Sequence, residues 1–371
     1  MKKILILMET DEIKIKNWGG GRGLIWEIQK NLEKNNQVTV KILSKGKSYY
    51  KRLFNQYGGY CFCKIDNDFN EYDFIIVFPA YVVFLIPKTY SKKTIAVGPD
   101  SFSLNAASLF RGTENLVHKY AIRYFFLLIS KVLEYAVLNR VKKMFVVGRT
   151  DQLYMKRNAL LSDEYKQKIY FLHHPIITHE YNENNKKIER QDIRNFVFSG
   201  DMPEKYQKKS VKDLIYWLNT YLICQKKSIN IVIVGKNNEW IYRYFMKLDP
   251  TKANVKYINW IDDYRDICIA GKYIHCFPLC SGSGTKNRTL TAIINSVEII
   301  TTPIGIENIK YKGVYGVYIR RNMQRFAKEM IRLNKIDISD SYLKWIRDSR
   351  IQFIRNMEII FNKDIDLITK S

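Results

Sequence analysis

The sequence predicts an α/β protein with two domains, each built around a parallel sheet. The chain has 371 residues, a two-domain length at roughly 100–200 residues per domain. Short apolar runs, typical of strands buried on both faces, alternate with segments of helical periodicity. This alternation stops once at a polar stretch and then resumes. We therefore expect two doubly wound halves that face each other across a cleft.

The first half opens on a buried strand. Lys3–Met8 reads KILILM, an unbroken apolar run, and Leu24, Ile25, Ile28 and Leu32 then recur at helical spacing. Further strands of this half are predicted at Gln37–Leu43, Phe74–Phe78, Thr94–Val97 and Lys143–Val147.

The second half begins after Tyr181–Arg194, a charged stretch without periodicity that indicates a linker. Its predicted strands are Phe196–Ser199, Ile231–Val234, Val255–Ile258, Ile274–Pro278 and Glu298–Thr301. Its predicted helices are Val211–Cys224, Trp240–Lys247, Asp263–Ala270 and Asn287–Asn295, followed by an amphipathic helix over Asp340–Phe361.

Domain boundaries follow from this order. We expect an N-terminal Rossmann-like domain over residues 1–180, a linker over 181–195 and a C-terminal Rossmann-like domain over 196–340. The remaining residues, 341–371, are expected to form a helix that can cross back to the N-terminal domain.

Charge is the strongest compositional signal. Lys and Arg number 61 against 36 Asp and Glu, a net charge of +25, and 46% of the residues are hydrophobic. This composition is globular and excludes disorder and collagen. The positive charge suits nucleic acid, an anionic membrane or an anionic small substrate. Because no nucleic-acid motif is present and aromatics such as Tyr124-Phe125-Phe126 lie in apolar runs, no nucleic-acid partner is expected.

Hydropathy predicts a cytoplasmic protein that touches the inner face of the cell membrane. The longest uncharged apolar run near the middle, Phe74–Pro87, has 14 residues, short of the ~20 needed to span a bilayer. No signal peptide is predicted, since Met1-Lys2-Lys3 leads directly into a strand. Tyr120–Val141 is oily but contains cations, which suits docking on anionic headgroups.

Metal binding is not expected. The six cysteines lack the spacing of a zinc site, so reduced thiols are predicted. Asp66-Asn67-Asp68 and Asp364-Ile365-Asp366 are predicted to be solvated turns. His173 and His174 are interpreted as packing or interdomain residues, with the alternative that His174 reaches the cleft.

Two glycine-rich loops occupy matching places in the halves. Gly19-Gly20-Gly21-Arg22-Gly23 separates the first strand from the first helix and allows close approach of a ligand to the backbone. Ser281–Arg288 reads SGSGTKNR and opens a helix. Small residues, a capping hydroxyl and two cations at a helix start predict a cradle for a diphosphate.

The second loop carries a resemblance to a known family. Gly282–Ile309 reads GSGTKNRTLTAIINSVEIITTPIGIENI, which resembles the donor-site signature of GT-B glycosyltransferases of family 4, also called group 1. Other segments follow in the family's order, so that the resemblance covers about residues 1–310: Gly19–Gly21, Val97–Ser101, Val147–Asp151, Phe198–Met202 and Ile233–Gly235.

This resemblance implies transfer of a sugar from a nucleotide-diphosphate donor, typically with retention of anomeric configuration and without a metal. A nucleotide-sugar is then a co-substrate, and no permanently bound cofactor is expected. The acceptor is expected to be a lipid-linked or surface polysaccharide intermediate, with a soluble or protein acceptor as the alternative. Residues 1–180 become the acceptor side and 196–340 the donor side.

The implied site residues fall into three groups. Cations at the departing diphosphate neutralise its charge as a metal would. The expected catalytic residues are Arg288, Lys208, Lys209 and Asp100. The expected donor-binding residues are Gly20, Gly21, Gly200, Lys205, Gly235, Gly284, Thr285, Lys286, Asn287, Thr291 and Glu307. Ser101 and His118 are expected on the acceptor side.

Two departures from the family pattern leave an alternative open. Thr291 stands where the family usually has the glutamate that accepts both ribose hydroxyls, and Asp201 replaces an arginine. Either Glu298 or Glu307 holds the nucleotide instead, or the activity is reduced. The alternative function is therefore a catalytically weakened GT-B subunit that binds sugar or a partner transferase.

Overall fold

A computed structural model describes residues 1–9, 21–43, 68–98, 100–113, 115–177 and 194–369. The chain divides into two compact units. The first unit contains Met1–Phe110, Val117–Pro175 and Glu358–Ser371, and the second contains Arg111–Leu116 and Ile176–Met357. Residues 181–193 of the predicted linker lie outside the described residues.

The first unit is built on a six-stranded parallel sheet with the order β2-β1-β3-β4-β5-β6. Ile4 of the central strand β1 lies opposite Val38 of β2 and Phe74 of β3. Every neighbouring pair of strands is parallel, so that crossover connections join them, as predicted. The strands are β1 (Lys3–Glu9), β2 (Gln37–Leu43), β3 (Phe74–Phe78), β4 (Thr94–Gly98), β5 (Lys143–Val146) and β6 (Ile169–Phe171).

Helices cover this sheet. Leu24, Ile25, Ile28 and Leu32 are buried against the sheet in one core cluster, which confirms the helical pattern seen in the sequence. A π-helical turn, His118–Arg123, leads into the third helix. The helices are α1 (Gly21–Leu32), α2 (Phe102–Gly112, whose last two residues belong to the second unit), α3 (Tyr124–Leu138), α4 (Arg149–Lys156) and α5 (Asp163–Gln167).

The second unit repeats this plan, with six parallel strands in the order β12-β11-β10-β7-β8-β9. The predicted fold class, two parallel-sheet α/β domains, is confirmed. Its strands are β7 (Asn195–Ser199), β8 (Ile229–Val234), β9 (Ala253–Ile258), β10 (Tyr273–Phe277), β11 (Glu298–Thr301) and β12 (Val317–Ile319). Its helices are α6 (Glu204–Leu222), α7 (Glu239–Phe245), α8 (Asn287–Ile294), α9 (Met323–Lys335) and the start of α10 (Asp340–Thr369).

Some predicted elements differ from the structure. The helix predicted over Asp263–Ala270 is a single 3-10 turn, Tyr264–Ile267, which begins where the Asp263 carboxylate accepts the Arg265 N–H. Helix α6 begins seven residues before the predicted start at Val211. Strands β6 and β12 were not predicted, because three residues are too few to show a strand pattern.

The last helix, α10, is 30 residues long. Its residues up to Met357 belong to the second unit, and its final turns bury Phe361, Ile365 and Ile368 in a core cluster of the first unit. There the Asp364 carboxylate accepts the His173 N–H at 2.9 Å and lies 2.8 Å from His173 Nδ1. Within the described ranges, none of the helices combines the length and apolarity that a bilayer span requires.

A buried ion pair lies at the amino end of the second unit's sheet. The Arg194 guanidinium pairs with the carboxylate of Glu298, the first residue of β11. The hydroxyls of Tyr318 and Tyr342 donate to Glu298 Oε1 at 3.1 and 2.9 Å. Burial lowers the pKa of Arg194 to about 10, which leaves the guanidinium charged at neutral pH. The Glu298 carboxylate therefore has a structural partner for its charge.

We expect Glu298→Gln to lower the free energy of unfolding of the second unit by about 3–5 kcal/mol, because Arg194 would keep a buried, uncompensated charge. Urea denaturation followed by circular dichroism measures this change. The double variant Arg194→Met with Glu298→Leu is expected to lose less stability than Glu298→Gln, because no charge stays buried without a partner. The control is Glu239→Gln, which removes an exposed pair with Arg243 and is expected to cost under about 1 kcal/mol. Equal effects of the two glutamine variants would contradict the prediction.

Candidate active site

The carboxyl ends of the second unit's strands carry most of the predicted donor-site residues. Gly200 follows β7 and Gly235 follows β8, both with positive φ angles, +98° and +123°. The side chain of Asn238, which is fully buried, joins their loops. Its Nδ2 donates to Gly200 O at 2.6 Å and to Val234 O at 2.7 Å. The two glycine turns are therefore held in fixed positions by one buried amide.

A second buried amide holds the loop after β10. Gln207, on the first turn of α6, donates through Nε2 to Ser281 Oγ at 3.0 Å. Its Oε1 accepts the Cys280 N–H at 3.0 Å. Because both ends of the amide are used, Gln207 fixes the entry of the SGSG loop relative to α6.

The start of α8 differs in one respect from the prediction. The N-cap residue is Lys286, which carries no hydroxyl, and its side chain makes no capping bond. Its ammonium folds back instead, donating to Ser283 O at 2.6 Å and Gly284 O at 3.0 Å. Lys286 therefore closes the loop, while the first N–H groups of the helix have no side-chain cap from the N-cap residue and suit an anion.

Arg288, in the first turn of α8, lies against the strand ends. Its Cγ is 3.4 Å from the position that a Cβ on Gly200 would occupy. Its guanidinium carbon lies 4.1 Å from the ring centroid of Tyr264. Within the described part of the chain, none of the ion pairs involves Arg288. A cation held in this way is available to an anionic ligand.

The Tyr264 ring is itself held by two strands. Its hydroxyl lies 3.0 Å from His275 Nδ1 on β10 and 2.6 Å from Ser199 Oγ, at the end of β7. His275 Nε2 lies 2.7 Å from Ile267 O. Since a carbonyl only accepts, Nε2 carries the proton and Nδ1 accepts from Tyr264. Burial lowers the pKa of His275 to about 4, so the ring is neutral at pH 7.

The turn after β11 packs on the start of α8. Thr289 Oγ1 donates to Gly305 O at 2.8 Å, and Thr302 Oγ1 donates to Leu279 O at 2.6 Å. A Cβ on Gly305 would lie 2.1 Å from Thr301 Oγ1, so this close approach requires glycine. Glu307 lies half-buried on the same turn. Of the carboxylates predicted to hold the nucleotide, it is the one that lies near the carboxyl ends of the strands.

Thr291 and Glu298 have structural roles. Thr291 is 1% exposed, and its hydroxyl donates to the Asn287 carbonyl at 2.9 Å. Glu298 lies at the start of β11, the opposite end of the strand from the loops described above, and is paired with Arg194. The expectation that Glu298 holds a nucleotide is therefore wrong, since its carboxylate is already used.

The predicted lysines of α6 are in different surroundings. Lys208 pairs with Glu204 at 2.8 Å, and its Nζ lies 6.0 Å from the Tyr244 ring centroid, toward α7. Lys205 and Lys209 are exposed, and Lys205 Nζ lies over the ring of Tyr206. No described contact joins these three ammonium groups to Arg288. Of the predicted cations, Lys286 and Arg288 are the two that the loop and helix start bring together.

In the first unit, the predicted acceptor-side residues are spread along α2 and the following segment. Ser101 is fully buried. Its N–H donates to Asp151 Oδ1 at 3.0 Å and its hydroxyl to Glu134 Oε1 at 2.8 Å. Ser101 therefore supports the start of α2 and does not face an acceptor, a correction to the sequence-based expectation. Burial also raises the pKa of Glu134.

The remaining predicted residues are placed as follows. Asp100 is half-buried just before α2, and His118 is half-buried at the start of the π-helical turn. Gly21 is the first residue of α1, and Gly20 lies outside the described residues. In the second unit, Gly284 and Thr285 lie in the loop before α8, and Asn287 is the first residue of α8.

Over the described ranges, no group of three or more His, Cys, Asp or Glu side chains is placed to hold a metal ion. Asp66 and Asn67 of the first D-x-D string, and Cys61, Cys63 and His179, lie outside those ranges. Cys224, Cys268, Cys276 and Cys280 are free thiols, as predicted. His174 is buried, and desolvation lowers its pKa to about 4.

Known proteins share this architecture. Residues 193–335, most of the second unit, match the family described as glycosyl transferases group 1. The chain has the GT-B fold, and its second unit resembles this family. The family resemblance stated from the sequence is confirmed for the fold and for the matched segment. No curated protein is significantly similar to this chain in sequence.

Three solved structures illustrate the shared fold across the whole chain. HepE from Anabaena, in complex with UDP and glucose, has a TM-score of 0.66 at 9% identity, with 100% of each chain covered. A glycosyltransferase from Rickettsia africae has a TM-score of 0.63 at 13% identity, covering 99% of this chain and 98% of its own. WaaG, a glycosyltransferase involved in lipopolysaccharide biosynthesis, has a TM-score of 0.57 at 11% identity, with 100% of each chain covered.

Sequence reasoning missed four residues that organise this site. Asn238, Gln207, Tyr264 and His275 are scattered over 69 positions of the sequence and meet only through the sheet. One signal was available for His275, because a lone polar residue inside the apolar strand YIHCF implies a buried hydrogen-bond partner. The others carry no local pattern, since each has at least one partner that is distant in the sequence: Gly200 for Asn238, Ser281 for Gln207 and Ser199 for Tyr264.

We expect Asn238→Asp to lower the free energy of unfolding by about 2–3 kcal/mol, because a carboxylate would face the carbonyl oxygens of Gly200 and Val234 without a proton to donate. Thermal and urea denaturation measure the change. The matched control is Asn254→Asp at an exposed position of β9, which is expected to shift stability by under about 0.5 kcal/mol. A neutral Asn238→Asp would show that the glycine turns do not depend on this amide.

Proposed function

We propose that this chain is a glycosyltransferase that moves a sugar from a nucleotide-diphosphate donor, whose diphosphate is bound between the Gly200 turn and the start of α8. The observation that carries the proposal is the placement of Arg288, a cation at a helix start, stacked on Tyr264, with no ion-pair partner among the described residues. The Lys286 ammonium and the first N–H groups of α8, to which the N-cap side chain makes no bond, add positive potential beside it.

The chemistry needs this charge. The bond that breaks joins the sugar's anomeric carbon to the diphosphate, so negative charge develops on the leaving phosphate in the transition state. Donors that are already fixed before the reaction stabilise this charge without reorganisation. Arg288 and the helix start supply such donors from the protein itself, so we propose transfer that does not require a metal. Retention of configuration is proposed on the family resemblance.

The nucleotide itself needs further contacts. With Thr291 buried and bonded to its own helix, Glu307 is the carboxylate that we propose for the ribose hydroxyls. Asn238 fixes the loop of Gly235, the proposed neighbour of the nucleoside. HepE, which shares the fold, was crystallised with UDP and glucose, and this makes UDP the first nucleotide to test.

The acceptor is proposed to be a lipid-linked or surface polysaccharide intermediate, with the enzyme peripheral to the cytoplasmic face of the cell membrane. The fold is shared with WaaG, which is involved in lipopolysaccharide biosynthesis. Support within this chain comes from a surface of the first unit that we call the aromatic face. It consists of the exposed apolar side chains between positions 117 and 135: Val117, Tyr120, Ile122, Tyr124, Phe125, Phe126, Leu128, Ile129, Val132 and Tyr135.

The aromatic face has the character of a bilayer-docking surface. Val117 is 77% and Phe125 59% exposed, and an apolar surface this continuous is unusual on a monomeric protein. Only Ser130, Glu134, Val137 and Leu138 of α3 are buried. Lys119, Arg123 and Lys131 flank the apolar side chains, and the chain as a whole carries +25. Anionic headgroups complement this combination of apolar area and cations.

The alternative function is a catalytically weakened subunit that binds a sugar or a partner transferase. The observation in its favour is the buried Thr291, which offers a ribose no carboxylate. The two functions differ in nucleotide binding, so one screen separates them.

We expect the chain to bind one of the UDP, GDP, CMP or dTDP sugars saturably, with binding unaffected by EDTA. Thermal shift and calorimetry measure the affinity. Arg288→Gln is expected to weaken binding about tenfold to a hundredfold, since a charge-assisted bond to phosphate contributes roughly 1.5–3 kcal/mol. Arg243→Gln, which removes an exposed cation of the same unit, is the control and should leave affinity unchanged.

Two outcomes of this screen would contradict parts of the proposal. The absence of binding to every nucleotide would favour the weakened subunit. Loss of binding on addition of EDTA would overturn the metal-independent reading while leaving the donor class in place.

We expect the protein to co-sediment with vesicles of phosphatidylcholine and phosphatidylglycerol at low salt, and much less with phosphatidylcholine alone. Phe125→Ser combined with Leu128→Ser is expected to lower the partition coefficient at least tenfold, since each buried side chain contributes about 1.5–3 kcal/mol. Tyr216→Ser, at an equally exposed position of the second unit, is the control. Equal loss in both variants, or no vesicle binding by the unmodified protein, would contradict docking through the aromatic face.

A further inference from the structure

The Tyr264 ring is the surface on which Arg288 rests. The guanidinium carbon lies 4.1 Å from the ring centroid, well inside the range of about 6 Å over which an aromatic face attracts a cation. The Arg288 Cγ lies 3.4 Å from the position that a Cβ on Gly200 would occupy. The φ of +98° at Gly200 is one that side-chain-bearing residues rarely adopt. The guanidinium of Arg288 therefore contacts a ring, while its stem lies beside a bare backbone.

The ring cannot turn freely because both ends of its hydrogen-bonded chain are anchored in the sheet. Ser199 Oγ, Tyr264 OH, His275 Nδ1, His275 Nε2 and Ile267 O form one continuous series, with contacts of 2.6, 3.0 and 2.7 Å between residues. Since Nε2 donates to the Ile267 carbonyl, the direction of every donor in the series is determined. Ser199 and His275 are buried on the neighbouring strands β7 and β10.

The short turn that bears Tyr264 is anchored as well. Asp263 accepts the Arg265 N–H at 2.9 Å, and the Arg265 side chain returns to the same carboxylate. At the other end of the turn, Ile267 is buried in a cluster with Val197 and Val234. The position of the ring is thus determined by two strands, a carboxylate and an apolar cluster.

Stacking orients a guanidinium without using its donors. All five N–H groups lie in the plane of the group, whereas the ring contacts its face. Hydrogen bonds to a carboxylate would orient the arginine equally well, but they would also neutralise it and occupy the groups that a phosphate needs.

We propose that Tyr264 is the positioning residue of the donor site: its ring, held by Ser199 and His275, sets the plane of the Arg288 guanidinium so that its free edge meets the β-phosphate of a nucleoside diphosphate. This rests on the proposed function, in which Arg288 binds the diphosphate. Tyr264 itself acts through Arg288 and touches no reacting atom.

The experiment is a double-mutant cycle on the ratio of diphosphate to monophosphate affinity, measured by calorimetry with UDP and UMP, GDP and GMP, and dTDP and dTMP. Tyr264→Leu is expected to lower this ratio about threefold to thirtyfold, the range of a partly desolvated cation–π contact. The double variant Tyr264→Leu with Arg288→Gln is expected to lower the ratio no further than Arg288→Gln alone. Both variants remove the same contact between ring and guanidinium, so their effects do not add. Tyr264→Phe keeps the ring but loses the hydroxyl contacts to Ser199 and His275, so it is expected to lower the ratio, by less than Tyr264→Leu does.

The outcomes separate the positioning role of Tyr264 from the proposed function. If Arg288→Gln lowers the ratio and Tyr264→Leu does not, or if the two losses add, the positioning role is overturned and the proposed function stands. If no nucleoside diphosphate binds the unmodified protein, both fail. Tyr273→Leu, at a half-buried tyrosine where β10 begins, is the control and should leave the ratio unchanged.

A measurement on the unmodified protein covers the case in which Tyr264→Leu does not fold. The Arg288 Nε–H resonance, assigned as the signal missing from Arg288→Gln, is expected well upfield of its random-coil position because it lies over the ring. A random-coil shift for this resonance would overturn the stack and the inference with it.

Discussion

The buried side-chain amide of Asn238 is the interaction on which the candidate site depends. Parallel strands end together at one edge of a sheet, where the loops that follow them must bond their backbone carbonyls without a neighbouring strand. Asn238 donates to the carbonyls of Gly200 and Val234 and so joins the loops after β7 and β8. Because Gly200 forms one wall of the space occupied by Arg288, the position of the proposed phosphate ligand follows from that amide.

Both units use buried polar side chains in the same way. In the second unit, Gln207 holds the loop that precedes α8. In the first, the Glu134 carboxylate accepts the Ser103 N–H and the hydroxyls of Ser101 and Ser103 at the start of α2. A buried polar group is stable only when its partners are in place. Each of these groups therefore selects one loop conformation, which is the preorganisation that electrostatic catalysis requires.

Cations that look equivalent in the sequence are distinguished by what surrounds them. Lys208 is neutralised locally by Glu204 on an exposed helix face, whereas Lys286 is bonded to carbonyls of its own loop. Arg288 rests on a neutral ring, Tyr264, whose hydroxyl is bonded to a histidine that burial keeps neutral as well. Because these neighbours are uncharged, the positive charge of Arg288 is available to a ligand. Lysines at the same helix start would lack the flat face that such stacking uses.

The sequence by itself determined the fold class, most of the strands and the segment in which we propose the donor site. Runs such as KILILM and the spacing of Leu24, Ile25 and Ile28 are local patterns, and burial follows from them directly. Tertiary structure alone decided which side chains share the site. Tyr264, His275 and Ser199 meet because β7 and β10 are neighbours in the sheet, although 73 residues lie between the end of β7 and the start of β10 in the chain. The same packing buried Thr291, assigned Glu298 to Arg194 and reduced the helix predicted at Asp263–Ala270 to one turn. Contacts of this kind depend on strand order, which no local pattern encodes.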